Sequence, residues 1–312
     1  MRVLVTGGAG FIGSHVVDRL LARGDEVVVI DNFATGVPAN LPDHDGLELI
    51  EDTIADEEAV AAAFEVARPD VVVHAAASYR DPEAWAEDSR TNAVGTANVV
   101  REAERHGVGR LVYFQTALCY GLLPQEHPIT LTHPLNPGAS SYAISKTAGE
   151  HYVRLSGLDW VSLRLANAYG PRNLSGPLPT FWHRLTEGLP CFVADTRRDF
   201  IFVDDVVDVV MEAVDGRGES GVYHVSSGGD FAIAELFEQV VQAIGIDPAP
   251  EVDVRPRGAD DAPSILLDPS ATQRAFGWQA RVPLERGVAA AVAHYEKAGV
   301  ERTYTHLRVA TE

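Results

Sequence analysis

Cysteine is nearly absent: the 312 residues hold two, Cys119 and Cys191. One distant pair is no disulfide framework, so the reading is reduced thiols in a cytosolic setting. Positive charge is also scarce, with 25 basic residues against 45 acidic ones and a formal net charge of -20. Broad binding to nucleic acid or to an anionic membrane needs a positive surface, which this balance excludes. An anionic small ligand stays open, because a few arginines and backbone amides can make a local positive site. Long apolar runs are missing too, and none approaches the roughly 20 residues that span a bilayer. The opening "MRVLVTGGAGFIGSH" has an arginine before apolar residues, but glycines interrupt them and no small-residue cleavage site follows. No metal-ligand cluster is visible, so the expected metal count is none. Together these absences point to a soluble cytoplasmic protein. With 46% hydrophobic residues, a sizeable core is available and global disorder is excluded.

The first half alternates β-branched runs with helical patterns. "RVLVT" (2–6), "EVVVI" (26–30), "LELI" (47–50), "DVVVHAA" (70–76), "RLVYFQT" (110–116) and "WVSLRLAN" (160–167) read as strands. Helices are expected over 11–23, about 56–67, about 86–106 and from near Ser141. Strands that are apolar throughout and separated by helices imply a parallel sheet covered on both faces. The fold class is therefore α/β, a Rossmann-type doubly wound parallel sheet, with residues 1–167 as its domain. Beyond 167 the texture changes, starting with the Gly- and Pro-rich "YGPRNLSGPLP" (169–179). Shorter helices near 179–188, 204–214, 232–244 and 283–297 suggest that residues 168–312 form mainly a smaller α/β substrate-binding lobe. The stretch about 198–214 is expected to pack back onto the first domain.

"VLVTGGAGFIGSH" sets Gly7, Gly10 and Gly13 between a strand and a helix, and Gly8, Gly10 and Gly13 also fit the shorter G-x-G-x-x-G spacing. Glycine is needed where the turn is tight and the backbone must approach a pyrophosphate, which then meets free N–H groups at the helix start. The second strand ends in "VIDNF", placing Asp31 where a carboxylate accepts hydrogen bonds from adenosine ribose hydroxyls. A carboxylate there repels a 2′-phosphate, so the cofactor expected is NAD rather than NADP. Asp52, after the third strand, is a second candidate, for the adenine amino group; a helix-capping or solvated acid is the plainer alternative. Phe11, Ile12, Asn32 and Thr53, beside these residues, join the expected cofactor contacts.

"SSYAISKTAGE" (140–150) carries Tyr142 and Lys146 four residues apart, on one helix face. A phenol titrates near pH 10 and is a poor base at neutral pH. A nearby ammonium, together with the positive nicotinamide ring, favours phenolate. Such a pair could take a proton from a sugar hydroxyl while hydride leaves the same carbon. On its own the spacing is ordinary helix surface; after the glycine loop it becomes a candidate acid/base centre.

With "HAAA" (74–77), "NAVGTANVV" (92–100), "CYG" (119–121), "LRLANAYGPRN" (163–173) and "RRDFIFVDDVV" (197–207) following in order, the chain resembles the extended short-chain dehydrogenase/reductases. Within them it is similar to the nucleotide-sugar epimerase/dehydratase family, in the manner of UDP-galactose 4-epimerases. The resemblance runs through essentially the whole chain. It implies that Tyr142 is the acid/base, that Lys146 binds the nicotinamide ribose and tunes the tyrosine, and that Thr116 holds the substrate's reacting oxygen. Ala75 and Ala76 would leave room for the cofactor, while His74 is not taken as catalytic and Asn92 is read as a tie between strands and helices. Asn167, Arg198 and Arg257 would contact the substrate, the arginines because a planar fork offers paired bonds to phosphate. Arg197 and Arg255 lie close enough to exchange roles with their neighbours. The implied substrate is a nucleotide-diphosphate sugar, with a UDP-sugar foremost, and the implied assembly is a homodimer formed through the 86–106 helix and the helix bearing Tyr142.

Dehydratases of this family carry an Asp-Glu pair directly after the catalytic threonine, and the decarboxylase branch carries a glutamate there. In this chain those positions are Ala117 and Leu118, which cannot move protons. The expectation is NAD-dependent epimerisation, at C4. A dehydratase or other oxidoreductase using a different acid, Cys119 among them, is the alternative, although Cys119 reads first as a small buried apolar residue. A non-catalytic NAD-binding scaffold is the third reading.

Overall fold

The β-branched runs form strands, and the alanine- and leucine-bearing stretches between them form the helices that cover them. In the computed structural model, which describes residues 1–79, 81–138, 140–258, 261–300 and 302–304, the first half begins with β1 (Arg2–Thr6), α1 (Phe11–Arg23), β2 (Glu26–Ile30), β3 (Leu47–Ile50), α2 (Glu57–Ala67) and β4 (Val71–His74). It continues through α3 (Trp85–Asp88), α4 (Thr96–Arg105), β5 (Arg110–Thr116), α5 (Ser141–Leu155) and β6 (Trp160–Leu165). The second half holds β7 (Asn167–Tyr169), α6 (Pro177–Thr186), β8 (Phe192–Ala194), β9 (Arg197–Arg198), β10 (Phe200–Phe202), α7 (Val203–Val214) and β11 (Gly221–Val225). It ends with β12 (Phe231–Ala232), α8 (Ile233–Ile244), β13 (Asp253–Arg255), β14 (Ser264–Ile265), α9 (Ser270–Phe276) and α10 (Leu284–Ala298).

Seven strands make one sheet in the order β11-β6-β5-β4-β1-β2-β3, every pair parallel. This is the doubly wound arrangement, with the strand order reversing between β1 and β4. One sheet face is covered by α2 and α4, where Phe64, Val60, Val99 and Ala103 are buried with Val72 and Leu111. On the other face, Val16, Val17 and Leu20 of α1 and the valines of α7 belong to a core that runs on without a break into Phe181, Phe237 and Val292 of the lobe. Arg19 and Arg23 of α1 pair with Asp208 of α7 and with Asp215, the residue that caps its end, at 2.9 and 2.5 Å. Asp205 of α7 accepts from the amides of Arg281 and Val282, which ties the C-terminal segment to the same helix.

Three features differ from the sequence expectation. The helix expected over 86–106 is broken by a π-helical turn at Ser89–Gly95. The wider turn lets Asn92 bond the amide and carbonyl of Ser78 at 2.8 and 2.9 Å and the Ser145 hydroxyl at 3.0 Å. The strand expected over 160–167 stops at Leu165, because Asn167 turns to pair with Phe200 as the start of β7. A seventh sheet strand, β11, comes from "GVYHV", beyond the division at residue 168. Among the described residues no helix is long and apolar enough to cross a membrane.

Helix α5 presents Tyr142 and Lys146, and its seat is tight. The Ser140 hydroxyl caps its start by accepting from the Ala143 amide at 3.4 Å. Tyr113 and Gln115 of β5 both donate to the Lys146 carbonyl, at 2.8 and 3.1 Å. A Cβ on Gly149 would stand 2.6 Å from both the Asn92 carbonyl and the Tyr113 hydroxyl. Gly149→Ala should therefore cost about 1–3 kcal/mol in denaturant unfolding by pushing α5 off its seat. His151→Ala, on the exposed side of the same helix, should move stability by less than about 0.5 kcal/mol.

Candidate active site

Where the strand order reverses, the turns after β1 and β4 pass each other in contact. Gly7 has a φ of +69°, and a Cβ there would stand 2.7 Å from the Ala76 backbone. A Cβ on Gly13 would stand 2.2 Å from the Gly7 carbonyl, so only glycine lets α1 begin this close to the turn. Helix α1 has no side-chain cap and no acid in its first turn. Its first amides and the positive end of its dipole therefore face a ligand that can accept from them.

Below this turn a buried relay holds the two strands. Ala76 N–H donates to the Thr6 hydroxyl at 3.2 Å, Thr6 bonds His74 Nδ1 at 2.6 Å, and His74 Nε2 reaches Thr96 at 2.9 Å. Thr96 donates onward to the Asn92 carbonyl at 2.7 Å, so the proton of a neutral His74 sits on Nε2. Complete burial holds His74 well below its ordinary titration range. His74 and Asn92 are structural ties, and neither lines the cavity.

A single cavity of about 1750 Å³ runs from this turn to the lobe. It exceeds the roughly 300–1,000 Å³ of a site for one small ligand and has room for two nucleotides end to end. At the α1 end it is lined by Gly7, Gly10, Phe11, Ile12 and Gly13, by Asp31 and Asn32, by Asp52 and Thr53, and by Ala75 and Ala76. Asp31 is held by the amides of Ala9 and Phe33 at 2.9 and 2.8 Å, while burial raises its carboxyl above the usual range. This donor set fits NAD: glycines clear the backbone for a pyrophosphate, and a fixed carboxylate stands where a ribose diol would lie.

Thr116, Tyr142 and Lys146 line the middle of the same cavity. Thr116 ends β5, its hydroxyl accepts from the Leu118 amide at 3.2 Å, and it lies beside Tyr142. Burial raises Tyr142 well above the ordinary phenol range; the nearby Tyr79 and Asp88 add to the rise, and Thr116 opposes it. Tyr79 stands edge-on to Tyr142 with ring centroids 6.1 Å apart. Lys146 is buried, with its ammonium 4.2 Å from the centre of the Tyr113 ring. Burial draws Lys146 down to about 7, and Glu150 opposes that fall. The groups that act on Tyr142 here are Tyr79, Asp88 and Thr116, while the Lys146 ammonium lies over the Tyr113 ring.

At the lobe end, Asn167 and Arg198 line the cavity, but Arg257 does not. Arg257 donates instead to the Asp261 carbonyl at 2.6 Å. The nearby lining arginine is Arg255, at the end of β13, whose guanidinium lies 4.2 Å over the Phe192 ring. Arg198 is committed to Asp261 and to the Ala262 carbonyl, the latter at 2.8 Å. Asp199 beside it is tied by the hydroxyls of Ser226 and Ser227, and burial raises it to about 6. Arg184 of α6 is a third lining cation that the sequence pattern did not mark, since a lone helix arginine carries no motif. Ala117 and Leu118 line the cavity without any titratable group. Cys119 is fully buried outside the lining and its thiol is pushed up to about 12, so it cannot serve as the second acid. Among the described residues no group of three or more metal-ligating side chains is found.

Residues 3–226 match the model of the NAD dependent epimerase/dehydratase family. A UDP-glucose 4-epimerase of Mycolicibacterium smegmatis is 34% identical over 313 residues, covering 94% of this chain and 97% of its own. UDP-glucuronic acid decarboxylase 4 of Arabidopsis thaliana is 32% identical over 308 residues, covering 92% of this chain and 67% of its own. The crystal structure of the Bordetella bronchiseptica enzyme WbmH in complex with NAD+ superposes with a TM-score of 0.93 at 54% identity, covering 96% of this chain and 99% of that one. WbmG of the same organism, in complex with NAD and UDP, superposes at 0.90 with 45% identity, covering 99% and 98%. The glycine cradle with its fixed Asp31, the parallel sheet that builds it and these relatives agree, and the chain belongs to the NAD-dependent epimerase/dehydratase family.

Proposed function

We propose that the protein inverts a sugar carbon, C4, of a UDP-sugar by transient oxidation and return of hydride. The observation that carries this reading is that Thr116 and Tyr142 line one cavity beside Ala117 and Leu118. A hydroxyl and a phenol face the same space, and nothing directly after the threonine can move a second proton. Bound NAD supplies the hydride acceptor and donor.

The chain's own residues handle the proton and the geometry. Tyr142 takes the proton of the C4 hydroxyl as the carbonyl forms and returns it after the keto sugar presents its other face. Thr116 holds the same oxygen through its hydroxyl as charge develops there. Lys146, one helical turn beyond Tyr142, would hold the nicotinamide ribose and contribute positive charge beside it. Asn167, Arg198, Arg255 and Arg184 surround the lobe end, where the diphosphate and nucleotide are anchored while the sugar turns. UDP in the WbmG complex supports uridine as the base.

Incubation with a panel of NDP-sugars, followed by mass and proton NMR, should give unchanged mass with a new C4 coupling pattern. Loss of water or of carbon dioxide would replace the epimerase reading with a dehydratase or decarboxylase one. Tyr142→Phe should lower kcat by about 10²–10⁴-fold while NAD remains bound, and undiminished turnover would remove Tyr142 from its role. We also propose a homodimer through α5 and the helical stretch before it, where Ile144, Tyr152, Leu155 and Val94 are exposed. Sedimentation equilibrium should show a dimer that Leu155→Glu together with Ile144→Glu converts to monomer.

A further inference from the structure

We propose that Glu150 is the counter-charge that sets the protonation of Lys146, a positioning residue that acts on the site through that lysine. This deepens the reading of Lys146 given above and rests on it.

The two residues are four apart on α5, one turn above the other on the same face. Both are buried, Glu150 completely. Among the described residues, three further titratable groups near Lys146 are held in their neutral forms. His74, from β4, has both ring nitrogens filled by Thr6 and Thr96 and is held far below its ordinary range. Tyr113, from β5, donates its hydroxyl to the Lys146 carbonyl and is held far above its ordinary range. Tyr142, from α5 itself, is a phenol raised by burial. That leaves Glu150 as the negative charge acting on Lys146 among the described residues.

Glu150 is itself kept ionised. Arg164 of β6 grips it with two bonds, Nε to Oε2 at 3.0 Å and Nη2 to Oε1 at 2.5 Å, and Ser162 donates at 2.9 Å. Arg154 stands further off at 3.9 Å. Their charge and hydrogen bonds draw Glu150 below the usual carboxylate range against the push of burial. Arg164 is anchored in turn, donating to the Tyr120 hydroxyl at 2.6 Å, and Tyr120 bonds His224 of β11 at 2.6 Å. The carboxylate is thus fixed in place and in charge, as a control on a neighbouring ammonium requires.

The chain has two lysines, Lys146 and Lys297, and Lys297 is exposed on α10. The full NAD-loaded protein, carrying lysine labelled with ¹³C at the ε position, therefore gives two resonances, one of them an internal reference. Glu150→Gln should lower the Lys146 midpoint by about one unit or more and leave Lys297 in place. The E150Q/R164M double variant removes both buried charges together and so spares the fold an unpaired arginine; because a cation leaves with the carboxylate, its Lys146 midpoint should lie between those of the wild type and E150Q. Because the ammonium is the active form, the high-pH arm of kcat should move to lower pH by the same amount, with activity regained on acidification. An unchanged Lys146 midpoint in folded E150Q, or a raised one in the double variant, overturns the proposal, as does a loss of activity that is equal at every pH. If the lysine resonance moves while the pH profile of kcat stays put, Glu150 still controls the charge, and it is the role of Lys146 in turnover that fails.

Discussion

The structure depends on one close contact, that between the turns leaving β1 and β4. Parallel strands that diverge to opposite sides of a sheet must open a crevice at their C-terminal ends. Here the crevice is closed at its floor by backbone against backbone, with Gly7 against Ala76. The Thr6–His74–Thr96 relay then locks the floor from beneath, using a histidine whose neutrality follows from full burial and two hydroxyl partners. Everything above this floor inherits its geometry: α1 starts there, Asp31 is held by the amide of Ala9 in the same loop, and Ala75 opens the cavity toward Thr116.

A second consequence concerns where charge lies. The cofactor end of the cavity carries Asp31 and Asp52, and the lobe end carries Arg184, Arg198 and Arg255. In a chain with a formal charge of -20, these arginines bring cations to one end of the cavity, Arg198 paired with Asp261 and Arg255 with Asp253. The two ends of the cavity thus differ in the predominant sign of the charged side chains that line them.

Much of this was legible in the sequence, and the limits have physical causes. Buried strands such as "VLVT" and "VVVH" are apolar throughout because both sheet faces are covered, and the glycine spacing marks a turn that admits no Cβ. The Tyr142–Lys146 spacing put both residues on one helix face, and the structure brings both into the cavity with Thr116. The π-helical turn at Ser89–Gly95 was not legible, since an extra residue per turn leaves no mark on hydrophobic periodicity. β11 escaped notice because it is a short edge strand with a half-covered face. Arg257 and Arg255 could not be told apart without β13, whose end turns Arg255 onto Phe192 and lets Arg257 fall back to Asp261. The seating of the Lys146 ammonium over the Tyr113 ring is a packing outcome that spacing along a helix cannot specify.

The scarcity of lysine has a meaning of its own. Of the 25 basic residues, two are lysines, and one of those is sealed inside the cavity. A guanidinium keeps its charge wherever it is placed, whereas an ammonium can be made to give up its proton by burial. Built almost wholly from permanent cations, this chain reserves a switchable one for the place where protons move. The surface arginines hold the same charge whatever the acidity outside, while the buried ammonium can respond to it.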